Sequence, residues 1–113
     1  MSERITEVND GNFEQVVLQS EVPVLVDFWA AWCGPCQTLA PTVAAIAEKH
    51  AKSARFVKLN VDDSTAVIHR YGIRAIPTLI LFEDGKETER LIGVVSEEEI
   101  SRRIDKHLNA PSN

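Results

Sequence analysis

Between Val22 and Ala30 the chain is almost continuously apolar: Val24, Leu25, Val26, Phe28 and Trp29 are broken only by Asp27. A run of that length without alternation reads as a strand buried on both faces. Phe56–Val61 and Thr78–Phe82 are two further β-branched or aromatic runs, and Ile5–Val8 is a shorter candidate. Asp84-Gly85 then marks a tight hairpin turn into Thr88–Val95. Helical spacing fills the gaps. Phe13, Val16 and Val17 predict one helix, capped near Asn9 or Asp10. A longer one runs from Cys33 to His50 with Leu39, Val43, Ile46, Ala47 and His50 on one face. A short helix over Thr65–Tyr71 stops at Gly72, and the last begins at Ser96 with Glu99 three residues on, a capping box. Ile100, Ile104 and Leu108 form its buried stripe. The order βαβαβαββα predicts an α/β protein with a central mixed five-stranded sheet, flanked by four helices, and a closing antiparallel hairpin.

The 113 residues, 44% hydrophobic, suffice for one globular domain, expected over residues 1–108 with a frayed tail at 109–113. A net charge of -5 and the lack of any basic stretch argue against a nucleic-acid partner. No apolar run approaches the length of a membrane span. Met1-Ser2-Glu3-Arg4 is followed by no apolar segment of the secretory type. A cytoplasmic protein is therefore expected; an imported organellar protein without its transit peptide would read the same way. The acidic run Glu97–Glu99 falls at a helix start, where it complements the helix dipole.

Two cysteines, Cys33 and Cys36, lie where a buried strand hands over to the long helix. Pro35 suits a first helical turn, where its missing N–H costs nothing. Cys33 then meets unpaired N–H groups and the positive end of the helix dipole, both of which favour a thiolate. Residues three apart on a helix have Cβ atoms about 5–6 Å apart, within reach of a disulfide after small adjustment. Cys36 continues into the apolar face of Leu39, Ala40 and Val43, so Cys33 is expected exposed and nucleophilic and Cys36 sheltered. Cys33 would attack a substrate disulfide and Cys36 would resolve the mixed disulfide. A zinc site wants four ligands, and His50, His69 and His107 are scattered, so no metal is expected. A purely structural bridge this short would stabilise little.

The segment Val26-Asp27-Phe28-Trp29-Ala30-Ala31-Trp32-Cys33-Gly34-Pro35-Cys36 resembles the active-site signature of the thioredoxin family. Phe56-Val57-Lys58-Leu59-Asn60-Val61-Asp62, Tyr71-Gly72-Ile73-Arg74-Ala75-Ile76-Pro77-Thr78, Gly85 and Gly93 extend the resemblance over almost the whole chain. It implies a thioredoxin fold and a cis Ile76–Pro77 bond facing the disulfide. It also implies a docking surface of Trp32, Gly34, Pro35, Ile76, Pro77 and Gly93 for extended substrates. Asp27, with Lys58 nearby, would move the proton of the sheltered thiol. By their residues alone, Gly93 is equally a strand bulge, Trp29 mostly core, and Asp27–Lys58 a buried ion pair. Pro41, inside the long helix, is expected to kink it. Gln37 departs from the family, which usually has Lys or Arg there; it weakens the local positive potential or is a neutral surface replacement.

The resemblance further implies a monomeric electron carrier with no tightly bound cofactor beyond its redox-active disulfide. It would reduce disulfide-containing target proteins and be recharged by an NADPH-dependent thioredoxin reductase. A redox-gated binding module using the same apolar surface without turnover is the alternative, and a disulfide oxidase or isomerase a third. Gly34-Pro35 between the cysteines favours the reductant in family terms.

Overall fold

The computed structural model describes residues 4–108; the tail expected to fray at 109–113 lies outside the described residues. Five strands, β1 (Ile5–Val8), β2 (Val24–Trp29), β3 (Arg55–Asn60), β4 (Thr78–Glu83) and β5 (Lys86–Ile92), form one sheet in the order β1-β3-β2-β4-β5. β3 pairs in parallel with β1 and β2, while β4 pairs antiparallel with β2 and β5, so the sheet is mixed, as expected. β2 is paired along both edges, which explains its unbroken apolar character.

Alternation along β2 divides the core. Leu25 joins Leu39, Val43 and Ile46 of α1 (Gly34–Lys49) and Ile100 and Ile104 of α3 (Glu97–Leu108) on one face. Val24, Val26 and Phe28 join Phe13, Val17 and Val67 of α2 (Thr65–Arg70) on the other. The helix runs on through the exposed Pro41 to a buried His50 cap.

Several expectations change. The first helix is a five-residue π-helical turn, Glu14–Leu18, closed by Gln19 N–H donating to the Glu14 carbonyl. The turn packs by tertiary contacts: Phe13 meets Tyr71 at a tilt and Phe82 edge-on, at centroid distances of 5.7 and 5.6 Å, while Val17 stays buried four residues later. No side chain caps that turn; Asp10 instead accepts from the Ala66 and Val67 amides at 3.0 Å each, capping α2 from 56 and 57 residues away. The last strand begins earlier and ends earlier than the pattern suggested. Asp84 and Gly85 both have positive φ (53° and 79°), a turn tight enough to pair Glu83 with Lys86 at once. Gly93, at φ 90°, ends the strand. The register shift in this hairpin falls between Leu81 and Phe82, so Gly93 is not the bulge. Of the predicted capping box, one half forms: Glu99 N–H donates to Ser96 Oγ at 3.1 Å, while the Glu99 carboxylate turns to Arg102 and Arg103.

α3 is fastened to the hairpin by charge. His107 Nδ1 lies 2.7 Å from Glu83 and Nε2 2.7 Å from Glu89, which also meets Arg103 at 2.7 Å. The His107 hydrogen bond, with Arg103 and Lys106, outweighs desolvation and holds the Glu89 carboxyl near 2, against an ordinary 4.5. Stability from this group is full above 4.5 and drains as pH falls toward 2. Urea unfolding between pH 2 and 7 should therefore show a shallower acid slope in Glu89→Gln than in the parent chain. Separately, Asp10→Ala should lower unfolding free energy by about 1 kcal/mol, the usual cost of a lost cap, with Asp10→Asn closer to the parent.

Candidate active site

β2 ends at Trp29 and the chain turns through Ala30–Cys33 before α1 begins. Cys33 caps that helix in an extended conformation (φ -93°, ψ 107°), and Pro35 occupies its first turn. Cys33 and Cys36 form a disulfide with a Cα–Cα separation of 5.2 Å. The Cys36 backbone N–H donates to Cys33 Sγ at 3.1 Å, so one of the orphan donors of the helix start points at this sulfur. Cys33 Sγ also lies 3.8 Å from the Ile76 carbonyl oxygen.

The expected contrast in exposure is absent. Cys33 is 4% and Cys36 6% exposed, because both pack with Ala30 against Trp29, Val61 and Ile76. In the disulfide form the two sulfurs differ by neighbours instead of by access to water. Cys33 faces Ile76 and the helix amide; Cys36 lines a largely apolar cleft of about 430 Å³ together with Asp27, Trp29, Gln37, Pro41 and Lys58.

Asp27 and Lys58 are register partners on β2 and β3. They do not form the ion pair that sequence reading allowed. Lys58 Nζ sits 4.9 Å over the Trp29 ring, and Asp27 Oδ1 is buried without a hydrogen-bond partner among the described residues. Neighbouring parallel strands send these side chains to the same face, but the Trp29 ring holds the ammonium by a cation–π contact. Trp29 is thus half-buried at the edge of the cleft, and not plain core. Burial pushes the Asp27 carboxyl up from 3.8 to about 7, against the opposing pull of Lys58.

The Ile76–Pro77 bond is cis, and its loop is pinned on both sides. Thr78 Oγ1 donates to the Ala75 carbonyl at 2.6 Å, and Gly93 N–H donates to the Pro77 carbonyl at 2.9 Å. Ile76 is half-buried and Pro77 buried; Gly34 and Pro35 are exposed at the start of α1. Trp32 is 68% exposed, its indole N–H donating to Asp62 Oδ2 at 2.9 Å. Thus Trp32, Gly34, Pro35, Ile76, Pro77 and Gly93 lie around the disulfide, while Asp27 and Lys58 stand behind it at the cleft. Sequence reading missed Ile92 and Val94, 61% and 54% exposed on either side of Gly93. Their signal was present: with Leu91 facing inward, alternation turns Ile92 out to solvent. It also missed Asp62 as the partner of Trp32 and Gln37 as a donor to the Ala31 carbonyl.

Among the described residues no group of three or more His, Cys, Asp or Glu side chains stands together as a metal site. No described helix is long and apolar enough to cross a membrane.

The Asp27 environment has a measurable consequence. Between 3.8 and about 7 the unfolded chain has lost a proton that the folded chain keeps. Stability therefore falls as pH rises through that window, by at most roughly 1.4 kcal/mol per pH unit, and stays low above it. Asp27→Asn should flatten this slope and leave the oxidised variant more stable than the parent at pH 8. Urea unfolding from pH 4 to 9 checks this, and an unchanged slope would contradict the assignment to Asp27.

Residues 4–106 match the sequence model of the family described as Thioredoxin. The chain is 46% identical over 101 residues to "Thioredoxin 1" of Synechococcus elongatus, covering 89% of this chain and 94% of that protein. It is 51% identical over 102 residues to "Thioredoxin M-type, chloroplastic" of Chlamydomonas reinhardtii, covering 90% of this chain and 73% of that protein. To "Thioredoxin" of Haemophilus influenzae it is 40% identical over 108 residues, covering 96% of this chain and all of that protein. With a mixed five-stranded sheet, a Cys33–Cys36 disulfide at the head of α1 and a cis proline opposite it, the chain belongs to the thioredoxin family and is a thiol–disulfide oxidoreductase acting through that disulfide.

Proposed function

We propose that this chain is a protein-disulfide reductant in which Cys33 attacks and Cys36 resolves. The observation that carries the assignment is the asymmetry around the two sulfurs: Cys33 Sγ accepts the Cys36 amide at the helix N-terminus, whereas Cys36 opens on the cleft that holds Asp27. An accepted N–H bond and the helix dipole stabilise a thiolate on Cys33 once the bridge is reduced. That thiolate attacks one sulfur of a substrate disulfide. The substrate S–S bond breaks as the Cys33–substrate bond forms, and the departing thiolate takes a proton from solvent. Cys36 loses its proton to Asp27 and attacks Cys33 Sγ. The Cys33–Cys36 bond re-forms as the Cys33–substrate bond breaks, the second substrate sulfur leaves as a thiolate that takes a proton from solvent, and both substrate sulfurs end reduced. A carboxyl titrating near 7 is matched to that exchange at neutral pH. Lys58, held over Trp29, favours the ionised carboxylate by charge at a distance.

The substrate lies on Trp32, Gly34, Pro35, Ile76, Pro77 and Gly93, with Ile92 and Val94 widening the apolar area. An extended segment pairing with the Ile76 backbone would use strand addition. The working unit is a monomeric single domain over residues 1–108, in the cytoplasm. A thioredoxin reductase drawing on NADPH restores its dithiol, and disulfide-containing proteins consume it. The relatives named as thioredoxins support this reading, and one of them is named as chloroplastic.

Trapping tests the roles. Cys36→Ser should attack once and accumulate mixed disulfides through Cys33, visible by mass spectrometry after a pulse of disulfide-bonded peptide. Cys33→Ser should form none and show no turnover with reductase and NADPH. The reverse pattern would exchange the two roles.

A further inference from the structure

Gln37 has a contact at the site but no place in the chemistry above. Its side-chain Nε2 donates to the Ala31 carbonyl at 3.0 Å. Ala31 lies in the turn before the helix, whose first backbone acceptor is the Cys33 carbonyl, taking the Gln37 N–H at 3.2 Å. The Gln37 side chain reaches back past that start and donates to the turn itself. The Ala31 carbonyl belongs to the Ala31–Trp32 peptide plane, so the bond fixes the backbone on which Trp32 is mounted.

Trp32 needs such support. At 68% exposure it has little packing to orient it, and its indole is held at one point, by Asp62 at 2.9 Å. A side chain tethered at its tip and mounted on a loose peptide plane pivots; one held at both ends does not. An exposed aromatic ordered before binding loses less freedom when a partner packs on it. No charged side chain occurs from Phe28 to Ala47, so Gln37 provides a donor here without adding a field.

We propose that Gln37 is a positioning residue for substrate docking: through the Ala31 carbonyl it fixes the Ala31–Trp32 peptide plane and hence the face of the indole that substrates meet. This inference rests on the reading of Trp32 as a docking contact.

The test compares Gln37→Met, of similar length without a donor, and Gln37→Lys, which keeps a donor and adds charge. For a disulfide-bonded peptide substrate, Gln37→Met should raise KM about two- to five-fold, the scale of one partly exposed hydrogen bond, with kcat changed less than about two-fold. The ¹⁵N order parameter of the Trp32 indole N–H should fall in that variant, with the Trp29 indole as internal control. Gln37→Lys at about 0.5 M salt, where its charge is screened, should return KM to near the parent value. Unchanged KM and order parameter in Gln37→Met, or a parallel loss of kcat, would overturn the proposal. Trp32→Ala separates the two levels. A parent-like KM in Trp32→Ala removes the docking reading and this inference with it. A raised KM there beside an unchanged Gln37→Met removes the brace alone.

Discussion

β2 is hydrogen-bonded along both edges and covered on both faces, and the site depends on that burial. A strand so enclosed has a fixed register and a fixed end. It places Asp27 on the α1 face of the sheet and releases the chain at Trp29 where α1 must start. The four residues of the connection leave little freedom. Cys33 N–H closes a turn onto the Ala30 carbonyl at 3.2 Å, and the Cys33 sulfur then takes up the Cys36 amide. The same atom therefore begins the helix and carries the redox chemistry.

Two environments that treat negative charge differently sit within this frame. At Cys33 the helix start offers N–H dipoles that favour negative charge. At Asp27 the apolar cleft disfavours it, and the carboxyl holds its proton up to about 7. Lys58 could have cancelled that by direct pairing. Its engagement with Trp29 keeps the attraction long-range, and burial wins. A buried carboxyl with an unsatisfied oxygen costs stability. Such a cost is understandable in a group that, on the function proposed above, exchanges a proton with a sulfur.

The surface around Trp32, Ile76 and Gly93 is built differently, from loops held by single hydrogen bonds, some local and some between distant segments. Gly93 holds the Pro77 carbonyl, Thr78 the Ala75 carbonyl, Asp62 the Trp32 indole and Gln37 the Ala31 carbonyl. Behind them Asp10 caps α2, whose C-terminus leads through Gly72 into the Ile76–Pro77 loop. No one of these bonds is strong, but each fixes a peptide plane or a ring that is otherwise exposed. The apolar surface can thus remain open to solvent and still keep one shape.

The sequence by itself determined the elements and their order, the turn at Asp84-Gly85 and the position of the cysteines at a helix start. Those follow from local causes: apolar periodicity, positive-φ residues, and a proline suited to the first turn of a helix. It also carried the motif by which Trp32, Ile76, Pro77 and Gly93 could be named as neighbours of the disulfide before any fold was in view. Tertiary structure decided what depends on atoms far apart in the chain. Cys33 is buried because Ile76, 43 residues on, closes over its sulfur. Phe13 stands at the head of a π-helical turn, where Tyr71 and Phe82 hold its ring. Asp10 serves a helix 56 residues away, and Lys58 chooses the Trp29 ring over the Asp27 carboxylate beside it. Spacing along a strand gives the face on which a side chain lies, but the partner it takes there is settled by competition among all the groups that folding brings to that face.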